Sequence, residues 1–575
     1  VSTDQRLNIA EHLLTDRVRE GHGERTALRL DDGSLSYAEV DALADRYASA
    51  LHHLDVRAEE RVFVAMPDGP GFVGALFGAL KLGAVPVMVN PHQPADAFAG
   101  IVAYAGARLA IVDAEAVPLA EEAASLAGRA LPLLVVGDAT GAPGDDDTDR
   151  RSAQRSGTGG GHTHLEDLPV GGPVEAAPTH PDDPALWLFS GGTTGTPKAV
   201  VQTHRSFANT TRLYGQQAVG YGTDDVTLSV PKLYFGYATG CNLFFPFSVG
   251  GSAVLFPDRA TPEAVFARIA AHRPTILVNV PSMMQAMLDH PDAASQDLSS
   301  LRFSTSAGEA LPPALYERWQ ATFGVEVLDG LGTAEMWHIF LSNVPGDVKP
   351  GTLGKPVPGF RVEVRDDDGR ELPAGEVGKL WVAGDSRGIG YWRDMERTKE
   401  VFRGEWVVTG DLVQRDEQGY LSYVGRGDDA IKVKGKWLVP AEVEGVLGDH
   451  PEVTSAVVVG APDATGLIKP AAFVTVTEER EGLEDELQRW VIERLEAYKH
   501  PRVIEVVEEL PRTHLGKVNR TVMKERARDR LRDGGGAGDG DGHDGGDGHG
   551  DGHGHGDDHG RRTEHTSGWE EHDDE

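Results

Sequence analysis

Residues 189–199 read Phe-Ser-Gly-Gly-Thr-Thr-Gly-Thr-Pro-Lys-Ala and follow an apolar run at 185–189. A strand that ends in glycines, hydroxyls and one lysine suits phosphate. Gly191, Gly192 and Gly195 let the backbone bend and bring bare N–H groups close to an anion. Ser190, Thr193, Thr194 and Thr196 add hydroxyl donors, and Lys198 adds a compact positive charge. The stretch is not a Walker A loop, which requires glycine directly before Lys-Ser/Thr; here Pro197 precedes Lys198 and Ala199 follows it. The same composition also suits a surface Gly/Thr turn, so the loop takes its meaning from the rest of the chain.

Four further stretches carry reactive types. They are 306–310 (Ser-Ala-Gly-Glu-Ala), 329–335 (Asp-Gly-Leu-Gly-Thr-Ala-Glu), 409–412 with 423–429, and 510–520 with Lys517. Glu335, two residues from the Thr333 hydroxyl on a glycine turn, has the chemistry to hold Mg²⁺ beside a phosphate. Asp411, after a strand, can accept from ribose hydroxyls. Each has an ordinary alternative: a solvated carboxylate for Glu335, a surface lysine after a glycine turn for Lys517.

The elements that must position these residues alternate between strand and helix. Residues 61–89 read as a βαβ unit, and the alternation resumes after the glycine loop and continues to about residue 329. This predicts mostly parallel sheets covered on both faces, with ligands at the carboxyl ends of strands. Residues 190–199, 306–310 and 329–335 all fall at such ends. From about Gly351 short strands and turns suggest a small β subdomain. The expected domains are 1–427, 428–532 and a tail at 533–575, with a disordered Gly/Asp/Pro-rich insertion at about 138–183. The fold class expected is α/β, doubly wound, with a smaller α+β domain at the C-terminal end.

The formal net charge of −35 speaks against nucleic acid or an anionic membrane as partner. Residues 533–575 hold 14 Asp/Glu against 2 Arg, a net −12. Seven histidines there have the chemistry to bind Zn²⁺ or Ni²⁺ loosely, but a solvated tail is the simpler expectation. The single cysteine, Cys241, excludes an intrachain disulfide and fits a reducing cytoplasm. No membrane span or secretion signal is expected.

In this order and spacing the five stretches resemble the adenylate-forming superfamily of acyl- and aryl-CoA ligases, carrier-protein adenylation domains and beetle luciferases, over about residues 8–530. The resemblance implies a two-step reaction. A carboxylate attacks the α-phosphate of ATP, giving an acyl-adenylate and pyrophosphate, and a thiol then displaces AMP. It implies that the 190–198 loop (Ser190, Thr193, Thr194, Gly195, Lys198) holds the β- and γ-phosphates. Gly308, Glu309 and Ala310 then line the adenine site, with Asp329 on the nucleotide side. Thr333 contacts the α-phosphate, Glu335 binds Mg²⁺, and Asp411 with Arg426 holds the ribose. Lys517 bridges carboxylate and α-phosphate, so that it, Thr333 and Glu335 form the catalytic group. Asp428 is the hinge of a rotating small domain, and Gly435 lies in the loop that admits the pantetheine arm of CoA. The chain departs from the family's usual loop at Gly191, where serine is common, and at Ala199, where glycine is common. Lys434 stands where a small residue is frequent, which bears on the acceptor thiol.

Residues 231–242 and those after Glu335 (Met-Trp-His-Ile-Phe-Leu-Ser-Asn) look most like benzoate-CoA ligases and their hydroxybenzoate relatives. By that resemblance Gly236 and Tyr237 flank an aromatic ring, and His338 with Ile339 closes the other side. Tyr234 and Phe235 are equally well read as core at a helix start. The expected substrates are an aromatic carboxylate, ATP and CoA, with Mg²⁺ as cofactor, an acyl carrier protein as the other acceptor, and a monomer or homodimer as the assembly.

Overall fold

The computed structural model describes residues 6–137, 162–169, 172–190, 198–427, 431–433, 436–511 and 518–533. Two sheets dominate. The first has nine strands in the order Lys355–Pro356, Ile339–Ser342, Val327–Gly332, Phe303–Ser306, Ile276–Asn279, Val226–Ser229, Ser252–Val254, Thr26–Leu30 and Gly33–Ser36. The six from Val327–Gly332 to Thr26–Leu30 run parallel, and antiparallel pairs close both ends. The second has eight strands in the order Gly390–Tyr391, Lys198–Thr203, Pro184–Ser190, Val85–Met88, Arg61–Ala65, Leu109–Asp113, Leu133–Val136 and Thr163–His164. It is parallel from Pro184–Ser190 onward.

Near-continuous burial along the inner strands, as in Leu109–Asp113 and Ile276–Asn279, is what a sheet covered on both faces requires. The helices Tyr37–His53 and Pro70–Lys81 pack between the sheets. The first starts with a reciprocal capping box, Ser36 with Glu39. The second is buried along its whole length, including Lys81, whose ammonium bridges Asp41 and Asp45 at 2.7 and 2.5 Å. A buried ammonium is tolerated only when paired in this way.

A five-stranded antiparallel sheet (Arg361–Arg365, Val377–Ala383, Phe402–Arg403, Trp406–Arg415, Leu421–Arg426) forms the small β subdomain. Beyond it, Val453–Pro462 and Ile468–Val476 pair antiparallel and Val503–Val506 joins in parallel, covered by the helices Pro440–Gly448, Leu483–Ile492 and Arg520–Asp533. Among the described residues, the buried clusters of this part draw only on residues from Ile431 onward, and the clusters of the preceding part end at Leu421.

One expectation needs correcting. The insertion was placed at about 138–183, yet residues 162–169 and 172–183 are built into the large domain. Thr163–His164 adds a parallel edge strand to Leu133–Val136, and Leu165 is buried behind it. Asn8 Nδ2 and the Leu7 N–H donate to the carbonyls of Ala177 and Thr179 at 3.4 and 2.9 Å. These are contacts between distant segments, made to the backbone carbonyls of the stretch, and they leave no periodicity in a Gly/Pro-rich sequence. Residues 138–161 lie outside the described residues, as do 534–575 with the tail histidines.

No helix among the described residues is long and apolar enough to cross a membrane.

Candidate active site

The strand Pro184–Ser190 ends on Ser190, and Lys198 opens the next strand directly opposite it in the antiparallel register. Thr193, Thr194 and Gly195 lie between them, outside the described residues. The hairpin geometry therefore brings Ser190 and the half-buried Lys198 together at one sheet end.

The strand Val327–Gly332 leads into Thr333 and the short turn Ala334–Met336. That turn is tightly specified. A Cβ on Gly332 would lie 2.5 Å from the backbone carbonyl of His338, so only glycine fits. Trp337, a large buried residue, adopts φ 62°, a region that favours glycine. On either side of this residue Glu335 meets Tyr391 and His338 meets Tyr237. The turn is also held from outside: Gln202 Nε2 donates to Ala334 O at 2.6 Å, and the Gly388 N–H donates to Glu335 O at 2.8 Å.

Glu335 is buried and accepts a hydrogen bond from the Tyr391 hydroxyl at 2.5 Å. Asp411 pairs with Arg426 directly across neighbouring strands, and Arg426 Nη1 donates to Asp411 Oδ1 at 3.0 Å. Burial pushes the Asp411 carboxyl up and Arg426 pulls it partly back; Glu335 is close enough to add to the rise. Thr333, Glu335, Asp411 and Arg426 thus belong to one neighbourhood, although they come from three separate segments: the turn after Val327–Gly332, the middle of Trp406–Arg415 and the end of Leu421–Arg426.

Two polar atoms here are buried without a hydrogen-bond partner among the described residues: Thr333 Oγ1 and Asp411 Oδ2. Buried groups of this kind carry a desolvation cost unless something satisfies them. A phosphate oxygen or a ribose hydroxyl has the chemistry to do so. No group of three His, Cys, Asp or Glu side chains among the described residues is set to hold a metal ion alone. Mg²⁺ is usually held by one or two carboxylates together with substrate phosphates and water, and the buried Glu335 carboxylate has the chemistry to be one of them.

Gly308, Glu309 and Ala310 are exposed and follow the strand Phe303–Ser306. Gly308 takes φ 83°. Glu309 accepts from the Ser282 N–H at 2.9 Å and from its hydroxyl at 3.0 Å, so the stretch is tied to the start of the helix Pro281–Asp289. Asp329, on the neighbouring strand, accepts from the Ser306 hydroxyl at 2.8 Å, and burial pushes its carboxyl up to about 7.

The residues expected around an aromatic acid also converge. Tyr237 and His338 have ring centres 5.6 Å apart, and His338 Nε2 lies 3.0 Å from the Tyr237 carbonyl. A carbonyl only accepts, so Nε2 carries the proton and Nδ1 is bare; Nδ1 is buried without a partner among the described residues. Burial lowers His338 to about 4, so the ring is neutral at ordinary pH. Phe245 packs edge-on against it at 4.8 Å, and Cys241 Sγ is 3.7 Å from Nε2. The Tyr237 hydroxyl donates to Thr305 Oγ1 at 2.7 Å. Gly236 lies against Leu188, and Ile339 is buried at the start of its strand. Phe235 is 53% exposed, so the reading of it as core is wrong: its side chain points away from the helix start that Gly236 begins.

Three residues escaped the sequence. Tyr391 reaches Glu335 from a two-residue strand with no pattern to betray it. Thr305 lies between Ser304 and Ser306 in the strand Phe303–Ser306, where nothing in the sequence sets it apart from them. Asp68, from the loop after Arg61–Ala65, accepts from the Leu233 N–H at 2.8 Å and so pins the segment that leads to Tyr237. Its burial, 4% exposed, is the only signal, and that is a property of the folded chain. Lys517, Asp428 and Gly435 lie outside the described residues.

Fold and site together define an α/β enzyme that handles a nucleotide at the carboxyl ends of its strands and carries a separate C-terminal module. The AMP-binding enzyme family matches residues 15–392, and the AMP-binding enzyme C-terminal domain matches residues 442–517. The chain belongs to the AMP-binding enzyme family. It is 40% identical over 525 residues to a benzoate–CoA ligase of Thauera aromatica, covering 90% of this chain and 96% of that protein. The crystal structure of an anthranilate CoA ligase in complex with anthranoyl-AMP superposes with a TM-score of 0.79 at 36% identity, covering 91% of this chain and 97% of that one. A benzoate CoA ligase from Burkholderia xenovorans LB400 superposes with a TM-score of 0.76 at 37% identity, covering 90% and 99%.

Replacing Tyr237 by alanine is expected to change the preference among aromatic acids while leaving the KM for ATP near its starting value. The acid that fits best should lose at least about tenfold in kcat/KM, the scale on which apolar pocket contacts discriminate. Equal losses for acid and ATP would make Tyr237 a purely structural residue.

Proposed function

We propose that the chain is an AMP-forming acid–thiol ligase that converts benzoate, or a benzoate with a small ring substituent, to its CoA thioester. The observation that carries the choice of acid is the convergence of Gly236, Tyr237, His338 and Ile339 beside the Glu335 turn. The relatives named above support it, because those named for benzoate match nearly the whole chain. Flat aromatic rings favour aromatic and apolar walls, and a neutral His338 adds no charge to oppose them.

In the first step a carboxylate oxygen of the acid attacks the α-phosphorus of ATP, and the bond to pyrophosphate breaks. In the second the thiol sulfur attacks the acyl carbon, the bond to AMP breaks, and the thiol proton is released. This chain's residues supply positions and charges. Ser190 to Lys198 clamp the departing pyrophosphate, Thr333 reaches the α-phosphate, and Asp411 with Arg426 holds the ribose. Mg²⁺, when bound at Glu335, supplies positive charge to the phosphates. Lys517 stabilises the charge that builds between acid and α-phosphate. CoA is the acceptor rather than the pantetheine of a carrier protein, and the site of action is the cytoplasm.

An acid panel with ATP and CoA, read by product mass, tests this. Benzoate or a close analogue should give aryl-CoA, AMP and pyrophosphate in equal amounts. Pyrophosphate release without a CoA product, restored by a carrier protein, would move the acceptor. Absence of release across the panel would sink the reading.

A further inference from the structure

The Glu335 carboxylate is approached by a strap that runs from Asp385 to Tyr391, and the strap is fixed at every step. Ser386, wholly buried, accepts from Asn209 Nδ2 at 3.0 Å and lies 2.5 Å from Thr210 Oγ1. The Gly388 N–H donates to Glu335 O at 2.8 Å, and the Ile389 N–H donates to Val201 O at 2.9 Å. Gly390 and Tyr391 then pair antiparallel with Val201 and Val200. The Tyr391 N–H donates to Thr398 Oγ1 at 3.0 Å, and its ring packs edge-on against Phe402 at 5.6 Å. Backbone and ring are therefore both held, and the hydroxyl is delivered to Glu335 Oε1 at 2.5 Å.

A carboxylate held through one oxygen by a fixed donor has fewer side-chain conformations open to it, and its second oxygen still accepts. A flexible glutamate would spend side-chain entropy each time it met a ligand; this one is ordered in advance. Partners of this kind, which hold a metal-binding group through its other atom, orient the ligand and raise its affinity for the ion. We propose that Tyr391 is a positioning residue for Glu335: its hydroxyl occupies Oε1 and presents Oε2 to the divalent cation that accompanies ATP. The inference rests on Glu335 as the cation's carboxylate.

The strap gives this arrangement a second consequence. It is bonded to the helix His204–Thr210 on one side and to the Glu335 turn on the other, so the carboxylate is registered against the same sheet that carries Ser190 and Lys198. Cation and phosphate clamp are thereby set to one frame.

The test uses the full chain with Tyr391→Phe and Glu335→Gln. Binding of Mn²⁺ in the presence of the non-hydrolysable analogue α,β-methylene-ATP is followed by electron paramagnetic resonance, and turnover is measured against Mg²⁺ concentration. Tyr391→Phe keeps the ring against Phe402 and removes only the donor. It should weaken Mn²⁺ binding roughly tenfold, shift the Mg²⁺ dependence of turnover by the same factor, recover at saturating Mg²⁺, and leave the KM for the acid unchanged. Unchanged metal affinity in Tyr391→Phe alongside weakened affinity in Glu335→Gln would overturn the role of Tyr391 alone. A loss that saturating Mg²⁺ does not restore would mark Tyr391 as merely structural. Unchanged metal affinity in both variants would remove Glu335 from the cation and the inference with it.

Discussion

Lys517→Ala is expected to cost acyl-adenylate formation about 10²–10³-fold or more in rate, the scale seen when one preorganised donor to developing charge is removed. Thioester formation from supplied acyl-adenylate should stay within a few-fold of its starting rate. The difference follows from where the lysine is anchored. Residues 512–517 lie outside the described residues, but both ends of that segment are held to the C-terminal module. Leu510 is buried among Val457, Val459 and Phe473, and the Asn519 N–H donates to Pro511 O at 2.7 Å. Arg520 then donates to Val458 O at 2.8 Å and pairs with Glu444 at 2.7 Å. The residues on both flanks of that segment thus belong to the small module. If that module presents different faces to the two half-reactions, a residue anchored on it serves one and not the other. Pyrophosphate exchange and single-turnover transfer from synthetic adenylate measure the two steps separately. Equal losses in both would end the two-arrangement reading of Lys517.

The same geometry shows what the sequence could and could not disclose. The alternation of buried strands and helices was legible because each strand's apolar run and each helix's spacing are local. Ser36 with Glu39 is a pattern four residues long, and it caps the helix Tyr37–His53. The order of the glycine loop, the 306–310 stretch, the Glu335 turn and the two stretches 409–412 and 423–429 was legible because each is a contiguous motif; that Asp411 and Arg426 meet across the last two is a pairing between strands. What stayed hidden depends on pairings between distant segments. Glu335 and Tyr391 are 56 residues apart, and the strand that carries Tyr391 has two residues. Thr163–His164 is a strand only because Leu133–Val136 offers a free edge. The positive φ of Trp337 is imposed by packing against Phe207, Phe244 and Phe245, which no propensity of tryptophan foretells. Phe235 went the other way: its type argued for the core, and the turn before Gly236 puts it in solvent.

Gly240→Ala is expected to be the most selective lesion of the acid pocket. Gly240 lies on the wide helical turn Gly240–Phe244, one turn beyond Tyr237. A Cβ there would sit 2.4 Å from His338 Cδ2, 2.5 Å from His338 Nε2 and 3.0 Å from Phe245 Cζ. Neither neighbour is the loose end of a flexible chain. The His338 ring is boxed by Tyr214, Tyr237, Phe245 and Trp337, so it cannot step aside without disturbing all four. Displacing it also breaks the Nε2 bond to the Tyr237 carbonyl, the contact that couples His338 to the segment carrying Tyr237. Overpacking of this kind costs about 1–3 kcal/mol, and a loss of that size confined to acid binding corresponds to roughly 5–150-fold in kcat/KM. Thr333, Asp411 and Arg426 share none of these contacts, so calorimetric binding of a non-hydrolysable ATP analogue should be unchanged. The size of the effect should also depend on the acid. A smaller ring, or an aliphatic acid of similar length, should lose less than benzoate, because the added methyl group pushes His338 into the space the ring would occupy. If every acid and ATP lose together, the cluster around His338 is part of the core that supports the site and not a wall of the acid pocket.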